Sequence, residues 1–593
     1  MVRAWNLLKM NNVVQIKNAL DRWKKISVER REILSLPPEK ALERIIDAHQ
    51  PAALVHSIPE EDFYFLAHDI GLEDSLQLLS LASNKQWEYM VDLEVWEKDR
   101  LEIRSITKWL DLLLKADPVR LIKWLINEKT EFLEFYLFKN IEVRIREHDQ
   151  DPSDFGEGFF TVDDTYYIRV MEDPADQISD ISESDTQPKR YRGEFLVKFL
   201  ESIAAYDHVK YQQILHEALS IILAEVEEEA FRMRNVRLAE KGFLPFDEAI
   251  GIYQPLSPEK LKSLSAKSLI KEEGKELLPV PFYPADMLKE DNLFTRSLAK
   301  IKADGILQQM QAEFAFLCNQ VIIADHKKVR SREELRDIVK KACGYINVGL
   351  EHMTEKEEGI SSKLKNDYCT LFLKKHPLSS IFRVGYGLAL KLKWRAEKWL
   401  DKCWFAGKGL PLTFWGEDWT GVLGGILIKK PLFYDNYKSG LLYREFVSTN
   451  DIKETETKLD QIIAFDTLFS LMTINLKPLS SYRFLSHKNL ILTLWARHHL
   501  NLPEEPDPLA VDKFKRFHTL LFSDKDKTKK IGQPMKESFS KWLTERTGIN
   551  DFELSKSLGE TFEKLFSEIE IEYGQVSSED LDPRYIHLFM VEK

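Results

Sequence analysis

The chain has little of what interrupts helices, and little of what builds disulfides or metal cages. Only 24 glycines and 23 prolines stand among 593 residues, which leaves long stretches free to be helical. The four cysteines, Cys318, Cys343, Cys369 and Cys403, lie far apart and form no Cys-x-x-Cys pair. That spacing excludes a disulfide framework and a zinc ribbon, and predicts reduced, mostly buried thiols. No apolar run approaches the length of a membrane-spanning helix. Met1-Val2-Arg3-Ala4-Trp5 leads into Asn and Lys residues, not into a signal-peptide apolar region, so a cytoplasmic location is expected.

Complete catalytic signatures are missing too. His216-Glu217 would need a second histidine one helical turn on to hold zinc, and Ser220 stands there. Gly385-Tyr386-Gly387 and Gly407-Lys408-Gly409 are fragments of phosphate-cradling loops without the remainder, and are expected at helix termini and turns. Cys343 and His352 would sit about two and a half turns apart on one helix, on opposed faces, which predicts a buried thiol and a capping imidazole. His498-His499 reads as a helix C-terminus, where cations favour the dipole. No catalytic residue, cofactor or metal ligand is therefore assigned, and the chain is expected not to be an enzyme.

What is present is helical grammar. A hydrophobic content of 44% supports real cores, and a net charge of −12 argues against wholesale coating of nucleic acid. Residues 1–35 read as an amphipathic helix, with Val13, Ile16, Leu20 and Trp23 at helical spacing. Four segments then share one theme, a proline- or acid-marked start followed by an apolar helix: Leu36-Pro37-Pro38-Glu39, Ile58-Pro59-Glu60-Glu61, Gly71-Leu72-Glu73-Asp74 and Ala116-Asp117-Pro118. Helices this short must stack to bury their apolar faces.

Residues 151–190 break the pattern. Eleven carboxylates crowd into them against Arg169, Lys189 and Arg190. Phe159-Phe160-Thr161-Val162 and Tyr166-Tyr167-Ile168-Arg169-Val170, joined by Asp163-Asp164-Thr165, predict a β-hairpin, and Pro174 to Pro188 a solvated loop. Residues 403–447 are the least helix-like of the second half. Trp404, Phe405, Phe414, Trp415 and Trp419 alternate with glycines there and form a candidate interaction surface, or else pack an irregular loop onto the helices that follow. A second hairpin is expected around Asn436 to Gly440. Basic residues gather late. Lys391, Arg395, Lys398, Lys402, Lys527, Lys529 and Lys530 are candidate contacts for an anionic partner, or a solvated helix stripe.

Residues 36–147 resemble the cytosolic N-terminal domain of magnesium transporters of the MgtE type, and the related helical repeats of the flagellar motor-switch protein. The likeness rests on Ser57-Ile58-Pro59-Glu60-Glu61 and on Ala67 through Asp74. It implies a superhelical stack, not magnesium transport. Four further phrases resemble an uncharacterised bacterial family, domain-of-unknown-function family 6178. They are Gly242 through Ala249, Ile346 through His352, Phe382 through Gly387, and Pro431 through Asp435. This second likeness runs through nearly the whole chain and carries no activity with it.

The expected fold is mainly α: an N-terminal α-solenoid-like repeat stack, then a second helical domain with one or two small β-hairpins. The expected parts are 1–150, an acidic hairpin and loop at 151–191, helices and a proline-rich strap at 192–290, a helical domain at 291–502, and a helical extension at 503–593. The expected function is a protein-binding scaffold that presents a helical surface to another protein. A nucleic-acid- or phosphate-associated regulator is the second possibility, and an enzyme with a site near 403–425 or His352 the third.

Overall fold

The computed structural model describes residues 25–171, 187–217, 223–269, 282–355, 362–474, 485–522 and 530–592. It is mainly helical, with three small antiparallel sheets among the described residues. The expected amphipathic helix at 1–35 is described only from residue 25, and residues 25–34 are helical. The described residues form two compact units. The first comprises residues within 1–252, 266–342 and 370–379, and the second those within 253–265, 343–369 and 380–593.

In the first unit, α1 (Pro38–Ile46), α2 (Pro51–His56), α3 (Glu60–Ile70), α4 (Leu76–Leu81), α5 (Asn84–Glu94), α6 (Ile103–Ala116), α7 (Pro118–Glu128) and α8 (Thr130–Asn140) follow in short steps. The predicted starts are visible. Pro37 precedes α1, Pro59 precedes α3, and the Asp117 carboxylate accepts from the Arg120 N–H at 3.1 Å with Pro118 in the first helical turn. The third predicted start comes one turn late: Leu72 to Ser75 form a turn, and α4 begins at Leu76. A capping box between Ser83 and Gln86 opens α5. Helices pack on the second helix along, α1 on α3, α2 on α4, α3 on α5 and α4 on α6. Phe63, Leu66, Leu79, Trp87, Met90, Trp109 and Leu110 are buried between them.

A buried ionic clasp closes this unit. Glu94 at the end of α5 accepts from the Tyr64 hydroxyl at 2.6 Å and from Arg330 at 3.1 and 2.7 Å. Arg332 pairs with Asp69, lies 4.1 Å over the Tyr283 ring and donates to its hydroxyl. The Tyr283 N–H in turn donates to Asp62 at 3.1 Å. Burial would raise the Glu94 carboxyl, but His68, Arg330 and Tyr64 together hold it down at about 2.

The predicted acidic hairpin forms. β2 (Phe159–Thr161) and β3 (Tyr166–Val170) pair, and β1 (Ile141–Ile145) joins the other edge of β3 in the order β1-β3-β2. Asp163 closes the turn by accepting from the N–H groups of Thr165 and Tyr166. Residues 172–186, most of the expected loop from Pro174 to Pro188, lie outside the described residues.

The second unit is built on a close helix crossing. α9 (Arg332–Glu355) passes from one unit into the other at residue 343 and meets α10 (Leu378–Leu400). A Cβ on Gly349 would fall 2.4 Å from the Ile381 carbonyl oxygen, and one on Gly385 would fall 2.0 Å from that of Tyr345. Gly385-Tyr386-Gly387 therefore sits in a helix interior and not at a terminus or turn, because only glycine lets these two backbones touch. Tyr345, Phe382 and Tyr386 pack edge to face and stacked beside the crossing.

Residues 403–447 are also more helical than their composition suggests. After a 3₁₀ turn at Leu412–Trp415, α11 runs over Gly416–Leu427. Its glycines form a flat face for the predicted hairpin of β4 (Phe433–Tyr434) and β5 (Tyr443–Arg444). A Cβ on Gly421 would meet the Tyr434 ring at 2.4 Å, and the Gly425 carbonyl accepts from the Leu432 N–H at 2.8 Å. α12 (Thr449–Leu471), α13 (His487–His499), α14 (Val511–Leu521), α15 (Gln533–Thr547) and α16 (Asp551–Tyr573) complete the unit around a continuous aromatic core.

Candidate functional site

Four helices of the second unit enclose a cleft of about 580 Å³, a size that suits a small ligand or a few peptide residues. Helical spacing aims the side chains. Trp415 and Trp419 are one turn apart at the head of α11, with Glu417 and Asp418 in its first turn, where the dipole favours anions. α12 contributes Glu454, Lys458, Gln461 and Phe465, at successive turns of one face. A capping box between Ser486 and Asn489 places His487 and Lys488 at the start of α13. α16 adds Glu560, Thr561, Lys564 and Glu568.

The walls are charged and self-paired. Lys458 meets Glu454 at 3.1 Å, Lys488 meets Glu568 at 2.6 Å, and Lys564 meets Glu560 at 2.8 Å. Burial would raise Glu454, yet Lys458 and Lys438 bring it below the ordinary carboxyl range. Glu417 and Asp418 are exposed and, among the described residues, pair with no cation; Asp418 receives a long contact from Asn436 at 3.5 Å.

The floor is aromatic. The His487 ring stacks on Trp419 at 4.6 Å, and Phe465 meets it edge-on at 5.4 Å. Burial pulls the His487 pKa down to about 3, so the ring is neutral near pH 7. Its Nδ1 lies 3.2 Å from the Phe414 carbonyl oxygen, which can only accept. The hydrogen-bond pattern therefore assigns the proton to Nδ1 and a lone pair to Nε2. Among the described residues, the Trp415 indole Nε1 and the Thr561 Oγ1 of the cleft are buried without a hydrogen-bond partner.

Of the two readings open for the aromatic residues of 403–419, an interaction surface or packing onto the helices that follow, their burial fits the packing. Phe405, Phe414 and Trp415 are 2%, 0% and 1% exposed and belong to the core. Trp404 is half-buried and stacks on Phe469. The backbone N–H groups of Trp404 and Phe405 both donate to Asp466, which fastens this segment to α12. Only Trp415 and Trp419 of the five line the cleft, and both are buried. Apolar burial wins here because the rings pack on one another, Trp399 stacked on Phe405, Phe405 edge to face with Trp415, and Trp415 tilted against Trp419.

Lys391, Arg395, Lys398 and Lys402 form an exposed stripe along α10 and just past its end, apart from the cleft, and Trp394 stands 48% exposed among them. Arg395 is engaged by Asp460 and Glu456. Lys530 is exposed, and Lys527 and Lys529 lie outside the described residues. Cys343 and His352 share α9, with the thiol buried and the imidazole half-buried. All four cysteines are buried, and none is in a disulfide among the described residues. Among the described residues no group of His, Cys, Asp or Glu is arranged to hold a metal ion, and no helix is long and apolar enough to cross a membrane.

The sequence had singled out neither the paired charges of α12 and α16 nor His487. Their one signal is the run of Glu and Lys at helical spacing, which any solvated helix face also shows. No curated protein and no solved structure matches this chain. A family profile does match, over residues 19–592, and the chain belongs to that family, a family of unknown function (DUF6178).

Proposed function

We propose that this protein is a non-catalytic binding scaffold that engages another protein, and that the cleft of the second unit is where the partner is recognised. The observation that carries this reading is the cleft's chemistry. Its three lysines are each neutralised by a glutamate, and its one imidazole is pulled to about 3. A general base works best with a pKa near the operating pH, so these groups offer contacts and shape more readily than proton transfer. The alternate packing of α1 to α6 supports an α-solenoid-like surface in the first unit. The likeness of residues 36–147 to MgtE-type N-domains bears on that stacking alone. On this reading the protein works in the cytoplasm.

The test is affinity capture of the tagged full chain from its own cells at low and moderate salt, beside a Thr457→Trp variant. Thr457 is an exposed residue of the cleft, so the indole fills the opening without touching the core. The reading expects a near-stoichiometric protein that survives moderate salt with the native chain and is lost with the variant. Equal retention by both removes the cleft from recognition.

A second reading rests on Trp394, exposed on the same stripe as Lys391, Lys398 and Lys402, which suits a phosphate-bearing or nucleic-acid partner. It expects binding that weakens steeply between 50 and 200 mM salt, on the order of tenfold or more, and falls further in Lys391→Ala/Lys398→Ala.

A further inference from the structure

We infer that the cleft takes an extended segment of the partner carrying one lysine or arginine. The cation lies against Glu417 and Asp418 beside Trp419, and a peptide carbonyl accepts from the Trp415 indole N–H. This deepens the binding reading above and depends on it.

Charge decides the side chain. Five carboxylates line the cleft, Glu417, Asp418, Glu454, Glu560 and Glu568, against Lys458, Lys488 and Lys564. The three lysines are consumed by Glu454, Glu568 and Glu560. Glu417 and Asp418 remain, adjacent in the first turn of α11, with no cation upon them among the described residues. An anionic ligand would meet that excess negative charge; a guanidinium or ammonium neutralises it. Trp419, next to Asp418 in sequence and stacked on the buried His487, supplies an aromatic ring, whose face is the part that cations prefer.

The buried donor decides the rest. Trp415 is 1% exposed, lines the cleft, and its Nε1 has no acceptor. A buried N–H left unpaired costs on the order of 1–3 kcal/mol, so an acceptor arriving there is favoured. The Thr561 hydroxyl stands in the same position, buried and unpartnered in the wall contributed by α16. A bare cation has no acceptor for these groups. A peptide has one at every residue, and pairs it with a basic side chain on the same short segment.

The experiment is isothermal titration of the full chain with three probes. They are a five-residue capped alanine peptide with a central arginine, the same peptide with a central glutamate, and free arginine. The expected result is saturable one-to-one binding of the arginine peptide, at least tenfold tighter than either other probe. The double variant Glu417→Gln/Asp418→Asn changes only exposed carboxylates, so it should stay folded, with a small fall in melting temperature from the lost helix-dipole contribution, while losing tenfold or more in affinity. Trp415→Phe should lose a smaller factor. No heat up to millimolar arginine peptide overturns the inference, as does equal binding of the glutamate peptide or free arginine. Unchanged affinity in the double variant overturns it as well. If the peptide fails but Thr457→Trp still loses the captured protein, the occupant's chemistry falls and the binding reading stands. If both fail, both fall.

Discussion

At the scale of single residues, two buried ionisable groups set the response to acid. Glu94 ionises at about 2 in the folded chain and near 4.5 when unfolded, so its contribution is complete above about pH 4.5 and drains as pH falls toward 2. That difference corresponds to about 3 kcal/mol at neutral pH. Glu94→Gln keeps the shape and loses the charge that Arg330 and Tyr64 were bound to. It should destabilise the first unit by roughly 2–4 kcal/mol, read as lost hydrogen-exchange protection of Glu60–Ile70. His487 works higher on the pH scale. Its folded pKa of about 3 lies below the unfolded 6.5, so acid favours the unfolded state from about pH 6.5 downward. Protection of α11 and α13 should fall by up to about 1.4 kcal/mol per pH unit between 6 and 4, and His487→Asn should flatten that slope. Neither group was legible as special in the sequence, because residue type does not reveal burial. For the same reason the sequence left Trp415 and Phe414 open between an interaction surface and a packed loop: an aromatic run among glycines reads alike whether it faces solvent or a core.

At the scale of elements, more was legible. Proline and aspartate marked the starts of α1, α3 and α7, and the acidic hairpin followed from two β-rich runs around Asp163-Asp164-Thr165. What misled was glycine. Gly385 and Gly421 read as a loop fragment and a loop residue, yet each lies inside a helix, where it admits a neighbour that a Cβ would exclude. Contact between distant segments set those positions, and a single sequence does not display such contact. The distinction is measurable. Gly385→Ala drives a methyl group into the Tyr345 carbonyl and should cost about 3 kcal/mol or more in the second unit. Gly193→Ala, in the helix Gln187–Tyr206, meets nothing within 4 Å and should stabilise by about 0.5–1 kcal/mol. Chemical denaturation of the two variants beside the native chain compares them directly.

At the scale of the whole molecule, the chain is interleaved. The first unit draws on residues 266–342, and the second on residues 253–265 and 343–369. A fragment ending at residue 252 therefore lacks Tyr283, Arg330 and Arg332, and leaves Glu94, Asp69 and Asp62 without those partners. It should show far weaker protection of α3 and α5 than the full chain does under the same hydrogen exchange; equal protection would mean that the clasp contributes little. The cleft belongs to this scale as well. Its walls come from four segments between residues 415 and 568, and only Trp415 and Trp419 were visible beforehand as candidates. Pairing Lys488 with Glu568, eighty residues apart, needs the fold.

The most direct measurement of the central claim is site-specific photo-cross-linking in the protein's own cells. The cross-linking residue is placed at Gln461 in the cleft and, as a control, at Ile571 on the exposed face of α16. Recognition through the cleft predicts one dominant adduct from position 461, mapped to a partner segment bearing lysine or arginine, and none from 571. No adduct at 461, or the same adducts from both positions, would contradict it.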